Sequence, residues 1–281
     1  MNLKKAIYLM VLSTLAFTVM NGLIKYLSDY NSYQLVFFRS VGSLFFTFGF
    51  LLTKKIPILG NNPKILVARG ILGLTSMFLF FTAIQYMPIG SAVALRYVAP
   101  IFAAIFAIVL LKEKVHHIQW LFFALAFSGV LILKGFDDSI PVLGLVFILV
   151  ASFFTGLVYI IIRKIGHTEH PVVIVNYFMC VATLVGGIFS IFHWKTPTLV
   201  DTLLLLSLGV FGYFGQLFMT KAFQLGETNI IAPLKYVEVI FAIIVGVGFL
   251  GESYSIWSFV GILMIIIGML LNIWYKKKHA E

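Results

Sequence analysis

Hydrophobic residues run along this chain in long continuous blocks, each closed by a short polar break. They do not show the short alternating segments that a porin-like barrel would need. Cutting at charge clusters and at Pro, Gly and Asn punctuation gives ten apolar stretches. They are roughly 5–27, 33–53, 64–86, 89–111, 117–134, 140–162, 171–193, 199–223, 228–250 and 256–275. Each approaches the ~20 residues a helix needs to cross a ~30 Å hydrocarbon core. The expected fold class is all-α integral membrane, with ten transmembrane helices.

Composition supports the same class. Of 281 residues, 61% are hydrophobic and 11% charged, and the mean hydropathy is +1.07. A soluble domain needs more surface charge. No gap between apolar stretches is long enough for a separate soluble domain. The first stretch, after Lys4 and Lys5, is too long for a signal-peptide core and is expected to be a retained span. A single cysteine, Cys180, forms no internal disulfide.

The net charge of +10 is explained by its distribution. Lys4, Lys5, Lys54, Lys55, Lys64, Lys112, Lys114, Arg163, Lys164 and Lys276 to Lys278 fall on one side of the ten-span layout. Lys25, Lys134 and Lys195 fall on the other, beside Asp29, Asp137 and Asp138. The positive-inside rule then places both termini in the cytoplasm, with the plasma (inner) membrane as the expected location. The basic excess sets orientation, and nucleic acid is not expected as a partner; a small-molecule substrate and the lipid bilayer are.

The chain also matches itself at an offset of 139 residues. Without a gap, Gly70 and Gly73 fall on Gly209 and Gly212, and Gln85 on Gln224. Arg96 falls on Lys235, Tyr97 on Tyr236 and Glu113 on Glu252. Two five-helix repeats are expected, 1–135 and 140–276. Five is odd, so the second copy enters the membrane inverted. Inverted repeats are a feature of secondary transporters, with the substrate near the midplane at the repeat interface. The expected architecture is therefore two inverted five-helix repeats around a central cavity.

Several stretches carry a resemblance: FFRS at 37–40, RGILGL at 69–74 and SAVALRYVAPIFAAIFAIVLLKEKV at 91–115. An acid also follows the fourth span of each half, in KEKV at 112–115 and GESY at 251–254. Over essentially its whole length the chain resembles the drug/metabolite transporter superfamily, and within it the EamA-type members. The resemblance implies a cavity lined by the first, third and fourth helices of each half. It also implies export or exchange of small metabolites.

Ionisable groups inside apolar spans are costly, by about 2.5–3.5 kcal/mol on insertion scales, and mark functional positions. Arg96 and Lys235 lie at mirrored depths and are the candidate binders of an anionic substrate group. A forked guanidinium suits a carboxylate, while an ammonium acts as a point charge. Structural alternatives stand beside this: Arg96 snorkelling to headgroups or bonding backbone carbonyls, and Lys235 in a salt bridge with Glu238, three residues on. Glu238 is accordingly assigned either to that ion pair or to a coupling proton. Tyr97, Tyr236, Asn21, Gln85 and Gln216 complete the candidate substrate-binding set. Arg39 and Pro100 are assigned gate or structural roles, Pro100 because it frees the carbonyl of residue 96 and favours a kink.

No P-loop, metal-ligand spacing or catalytic constellation is present, so neither an ATP-driven pump, a metal site, a cofactor nor an enzyme is expected. The function expected is a secondary transporter or exchanger working by alternating access. Its substrate is a small organic metabolite, anionic or zwitterionic and carboxylate-bearing. A lipid-linked flippase or a membrane-embedded sensor is the alternative.

Overall fold

The computed structural model describes residues 3–112, 116–136, 139–165, 168–225 and 232–278. Glu113, Lys114, Asp137 and Asp138, singled out above, lie outside the described residues. The described chain is helical throughout. In sequence order the helices are α1 (Leu3–Tyr26), α2 (Ser32–Thr53), α3 (Pro63–Tyr86), α4 (Ile89–Arg96), α5 (Ala99–Leu111) and α6 (His117–Phe136). They continue as α7 (Val142–Ile165), α8 (Pro171–Phe192), α9 (Leu199–Leu225), a 3₁₀ turn (Ala232–Tyr236), α10 (Val237–Phe249) and α11 (Ile256–Lys278). In hydrocarbon no water is available to backbone polar groups, and a helix satisfies them within one segment.

Helix starts follow local chemistry. The Asn31 side chain accepts from the Gln34 amide at 2.9 Å and opens α2. Asn62 precedes Pro63 at the start of α3, and His170 precedes Pro171 at the start of α8. Proline suits the first turn, where its missing N–H is no loss.

Among the described residues, nine helical stretches are long and apolar enough to cross a membrane; one runs from Ile89 to Leu110 across α4 and α5. Two of the expected spans depart from straight rods. The fourth is broken at Tyr97–Val98, with Pro100 in the first turn of α5. The ninth, expected over 228–250, contains a 3₁₀ turn and then a 13-residue α10. That helix alone is roughly 20 Å long, shorter than the hydrocarbon core.

Packing is pairwise. α1 lies on α9 and α10, α7 lies on α3 and α5, α2 on α8 and α9, and α6 on α11. The α6–α11 pair meets backbone to backbone. A Cβ on Gly129 would stand 2.5 Å from the Gly261 carbonyl oxygen, and one on Gly268 would stand 2.6 Å from that of Phe122. Small residues allow such close approach where lipid supplies no hydrophobic drive between helices. The main buried cluster runs through α1, α3, α4 and α7, with Ile24, Phe80, Phe81, Ile84, Leu95 and Ile148 among its members. Large apolar side chains such as Phe45, Leu131, Ile191 and Phe249 face outward instead, as a lipid-facing surface requires.

Candidate functional site

The two interrupted spans meet inside the bundle and border a cavity of about 510 Å³. α1, α2, α3, α7, α8, α9 and α11 also contribute to the wall. Arg96, Lys235, Tyr97, Tyr236, Asn21, Gln216, Glu238, Arg39 and Pro100 all line it. Gln85 does not. Near the C-terminal end of α3, its amide donates to the Tyr30 carbonyl at 3.0 Å, and its carbonyl oxygen accepts from the Ser32 hydroxyl at 3.4 Å. It fastens an end loop and leaves no group for a substrate in the cavity.

Glu238, buried in the first turn of α10, is held from two other elements. Asn21 on α1 donates to one carboxylate oxygen at 3.2 Å, and the Tyr97 hydroxyl lies 3.0 Å from the other. The same hydroxyl lies 2.7 Å from the Lys235 carbonyl oxygen. A phenol carries one proton and donates to one of these at a time. Tyr97 and Tyr236 also meet edge to face, with centroids 4.8 Å apart, so the two breaks are joined by ring contact and hydrogen bond.

Lys235 and Arg96 are the cations whose charge bears on Glu238. No ion pair links Glu238 to either among the described residues. The expected Lys235–Glu238 salt bridge is therefore not formed; Asn21 and Tyr97 engage both carboxylate oxygens instead. The Arg96 guanidinium stacks on the Phe80 ring at 4.2 Å. The Arg96 carbonyl, freed by the break before Pro100, faces the Ser152 hydroxyl at 3.5 Å.

Two further guanidiniums line the same cavity. Arg39 on α2 and Arg69 on α3 are only 6% and 7% exposed. Both lie over the Phe178 ring, at 5.7 and 4.4 Å. Arg39 reaches the thioethers of Met77 and Met179, which are weak acceptors. Nε of both side chains and Nη1 of Arg69 have no hydrogen-bond partner. A desolvated cation–π contact is worth about 2 kcal/mol, against several kcal/mol for burying an unpaired ion, so the charges are not compensated by their surroundings. Glycines make the room: a Cβ on Gly73 would stand 2.8 Å from Arg69 Nη1, and one on Gly212 would stand 3.2 Å from Arg39 Nε.

Arg69 is not among the site residues expected from the sequence. The signal was there in RGILG, since Gly73 lies one turn after the arginine and on its face.

A hydrogen-bond network covers one end of the bundle. Both Glu252 carboxylate oxygens accept from the Ile89 amide at 3.0 Å, capping α4. The Tyr254 hydroxyl donates to Glu252 at 2.7 Å and accepts from the Gly90 amide at 2.9 Å. Lys25 donates to the carbonyls of Met87 and Gln85, at 3.0 and 3.3 Å. At the same end, Tyr30 donates to Asp201 at 2.6 Å, and this bond pushes the phenol pKa up to about 12. At the opposite end, Glu169 accepts from the amides of Asn61 and Asn62 at 2.7 and 2.6 Å.

Known proteins share this pattern. The EamA-like transporter family matches twice, over residues 4–134 and 142–274. The pseudopaline exporter CntI of Pseudomonas aeruginosa is 32% identical over 246 residues, covering 85% of each chain. Solute carrier family 35 member G1 of Homo sapiens is 27% identical, covering 95% of this chain and 79% of its own. The S-adenosylmethionine uptake transporter of Rickettsia prowazekii is 24% identical, covering 96% and 93%. A protein of known crystal structure aligns over 98% of both chains with a TM-score of 0.71 at 14% identity, a likeness of fold alone. Apolar helices, a cavity between them that carries charged groups and a family match across both halves lead to one assignment: this chain is an integral membrane protein of the EamA-like transporter family.

Proposed function

We propose that the chain is a secondary transporter of a small, carboxylate-bearing organic metabolite, moved through the central cavity by alternating access. The observation that carries this reading is the charge of the cavity wall. Arg96, Lys235, Arg39 and Arg69 line it together with Glu238, the one acid there among the described residues, and none of the four cations is ion-paired with a described side chain of that wall. An anion entering the cavity meets partly buried donors, including a guanidinium stacked on Phe80, and a forked guanidinium binds a carboxylate with paired donors. The direction of transport differs between relatives, one being an exporter and another an uptake transporter.

The architecture we infer is two inverted five-helix repeats, 1–135 and 140–276, forming ten spans in the plasma membrane with both termini cytoplasmic. The packing supports it, because the largest contacts between the two halves come in mirrored pairs. α1 on α9 corresponds to α7 on α3, and α1 on α10 corresponds to α7 on α5. The breaks after Tyr97 and Tyr236 are mirrored likewise. In such a frame, exchanging the conformations of the two halves moves the opening of the cavity from one face to the other.

The test is thermal unfolding of the purified protein with panels of carboxylate, zwitterionic, amine and neutral lipophilic compounds, for wild type and Arg96→Ala. A ligand at 100 times its Kd stabilises by about 2.7 kcal/mol. Carboxylates should stabilise the wild type and not the variant. Equal stabilisation of both proteins by amines or neutral lipophiles would end the carboxylate reading and favour a flippase.

A further inference from the structure

We propose that Arg39 and Arg69, flanking Phe178 in the cavity wall, form a second anion subsite that takes another oxyanion group of the substrate. The transported metabolite then carries at least two anionic groups, one for Arg96 and Lys235 and one for this pair. The inference rests on the carboxylate reading above and narrows it to a class of substrate.

The argument starts from what these two side chains lack. Each is more than nine-tenths buried, and each lines the cavity. Arg69 has no hydrogen bond to any described residue. Arg39 has only sulfur acceptors, from Met77 and Met179. Nε of both, and Nη1 of Arg69, lack partners. The two cations share one aromatic ring, and Arg39 also feels the charge of Arg96. Like charges gathered in a desolvated space repel one another, and the ring offsets only part of that. A structural arginine is expected to bond carbonyls or carboxylates, as Lys25 does with two carbonyls. Arg39 and Arg69 are instead cleared of such partners, with Gly73 and Gly212 keeping space beside them. Both guanidiniums carry a fork of donors suited to a carboxylate or phosphate. They are brought together from α2 and α3, so the pair depends on the assembled bundle and not on one helix.

The experiment is ligand-induced thermal stabilisation of the full-length purified protein at fixed ionic strength. Butyrate supplies one carboxylate. Succinate, glutarate and adipate supply two, at increasing separation. Inorganic phosphate supplies a free oxyanion. At least one dicarboxylate should half-saturate at a concentration at least tenfold below that of butyrate. Arg69→Gln should abolish that preference, so that no dicarboxylate half-saturates at a lower concentration than butyrate does in the same variant. Arg96→Gln should lose both responses. Without ligand, Arg69→Gln should melt no lower than wild type, because an unpaired buried charge has been removed.

Equal half-saturation by butyrate and every dicarboxylate, with both lost in Arg96→Gln, would overturn the second subsite and leave the carboxylate reading standing. No response to any carboxylate would overturn both. Phosphate saturating the site without displacement by any dicarboxylate would assign a resident counter-ion and overturn the proposal. Arg69→Lys keeps the charge without the fork and serves if the glutamine variant fails to fold. It should weaken the dicarboxylate preference; lower ligand-free stability with that preference intact would assign Arg69 a structural role and overturn the proposal.

Discussion

Replacing Glu252 with alanine should open the end of the cavity that its carboxylate helps to close. That carboxylate takes the Ile89 amide on both oxygens and orients Tyr254, which holds the Gly90 amide. A hydrogen bond to a charged group is worth about 1.5–3 kcal/mol, and an anion at a helix N-terminus adds roughly 0.5 kcal/mol. The alanine variant therefore removes about 2–3.5 kcal/mol from the closed arrangement. At 1.4 kcal/mol per factor of ten, the open-to-closed ratio rises roughly 30- to 300-fold. The reporter is Val93→Cys, made in a Cys180→Ser background. Val93 lines the cavity and is 2% exposed. A membrane-impermeant maleimide is applied from outside intact cells, the side where the positive-inside rule puts residues 250–255. Labelling should accelerate at least tenfold in Glu252→Ala and by an intermediate amount in Glu252→Gln, which keeps an acceptor. An unchanged rate would refute the closing role. So would equal acceleration at Ile162→Cys, a cavity position on α7, since that outcome means general loosening.

Four further outcomes follow from the geometry. Tyr97→Phe removes the hydroxyl shared by the Lys235 carbonyl and Glu238; leaving those groups short of a donor costs about 1–3 kcal/mol, read as lower thermal stability with slower exchange in proteoliposomes. Glu238→Gln keeps the hydrogen-bond frame but cannot release a proton, so uptake driven by a pH gradient should vanish while counterflow persists; loss of both would make Glu238 a structural or substrate contact. Gly42→Val places its Cβ 2.9 Å from the Gly209 Cα, where only backbone stands; overpacking of this kind costs about 1–3 kcal/mol or more, whereas Gly49→Ala meets open space and should leave the melting temperature unchanged. Gln85→Ala, outside the cavity, should lower thermal stability slightly and leave ligand half-saturation unchanged.

Much of the cavity was legible because charge inside an apolar run is conspicuous. Arg96, Lys235 and Glu238 stand out for that reason, and the 139-residue register pairs Tyr97 with Tyr236, beside which both spans are interrupted. Spacing along one helix said less about partners. Lys235 and Glu238 are near in sequence, yet donors from α1 and from the α4–α5 break occupy the carboxylate. Such competition between elements is absent from a one-dimensional pattern. Arg69 was hidden by its position six residues after Pro63, where an arginine reads equally well as an interfacial cation. Gln85 misled in the opposite way. Its depth in an apolar stretch suggested the cavity, but the last turn of α3 carries it to a loop. Glu252 was visible as an acid after the ninth span; that it caps α4 depends on a contact 163 residues away in sequence.

The glycine seam between α6 and α11 has a mechanical consequence. Where glycines bring two helix backbones this close, little side-chain layer is left between them to shear, and small changes of rotamer relieve little of a displacement. Gly129, Gly261 and Gly268 make this pair stiff along much of its length. In the alternating-access cycle proposed above, it would serve as the keel of the molecule, a fixed reference against which other helices tilt. Any rocking motion is then concentrated in the helices around the cavity, and the lipid beside α6 and α11 is spared most of the deformation.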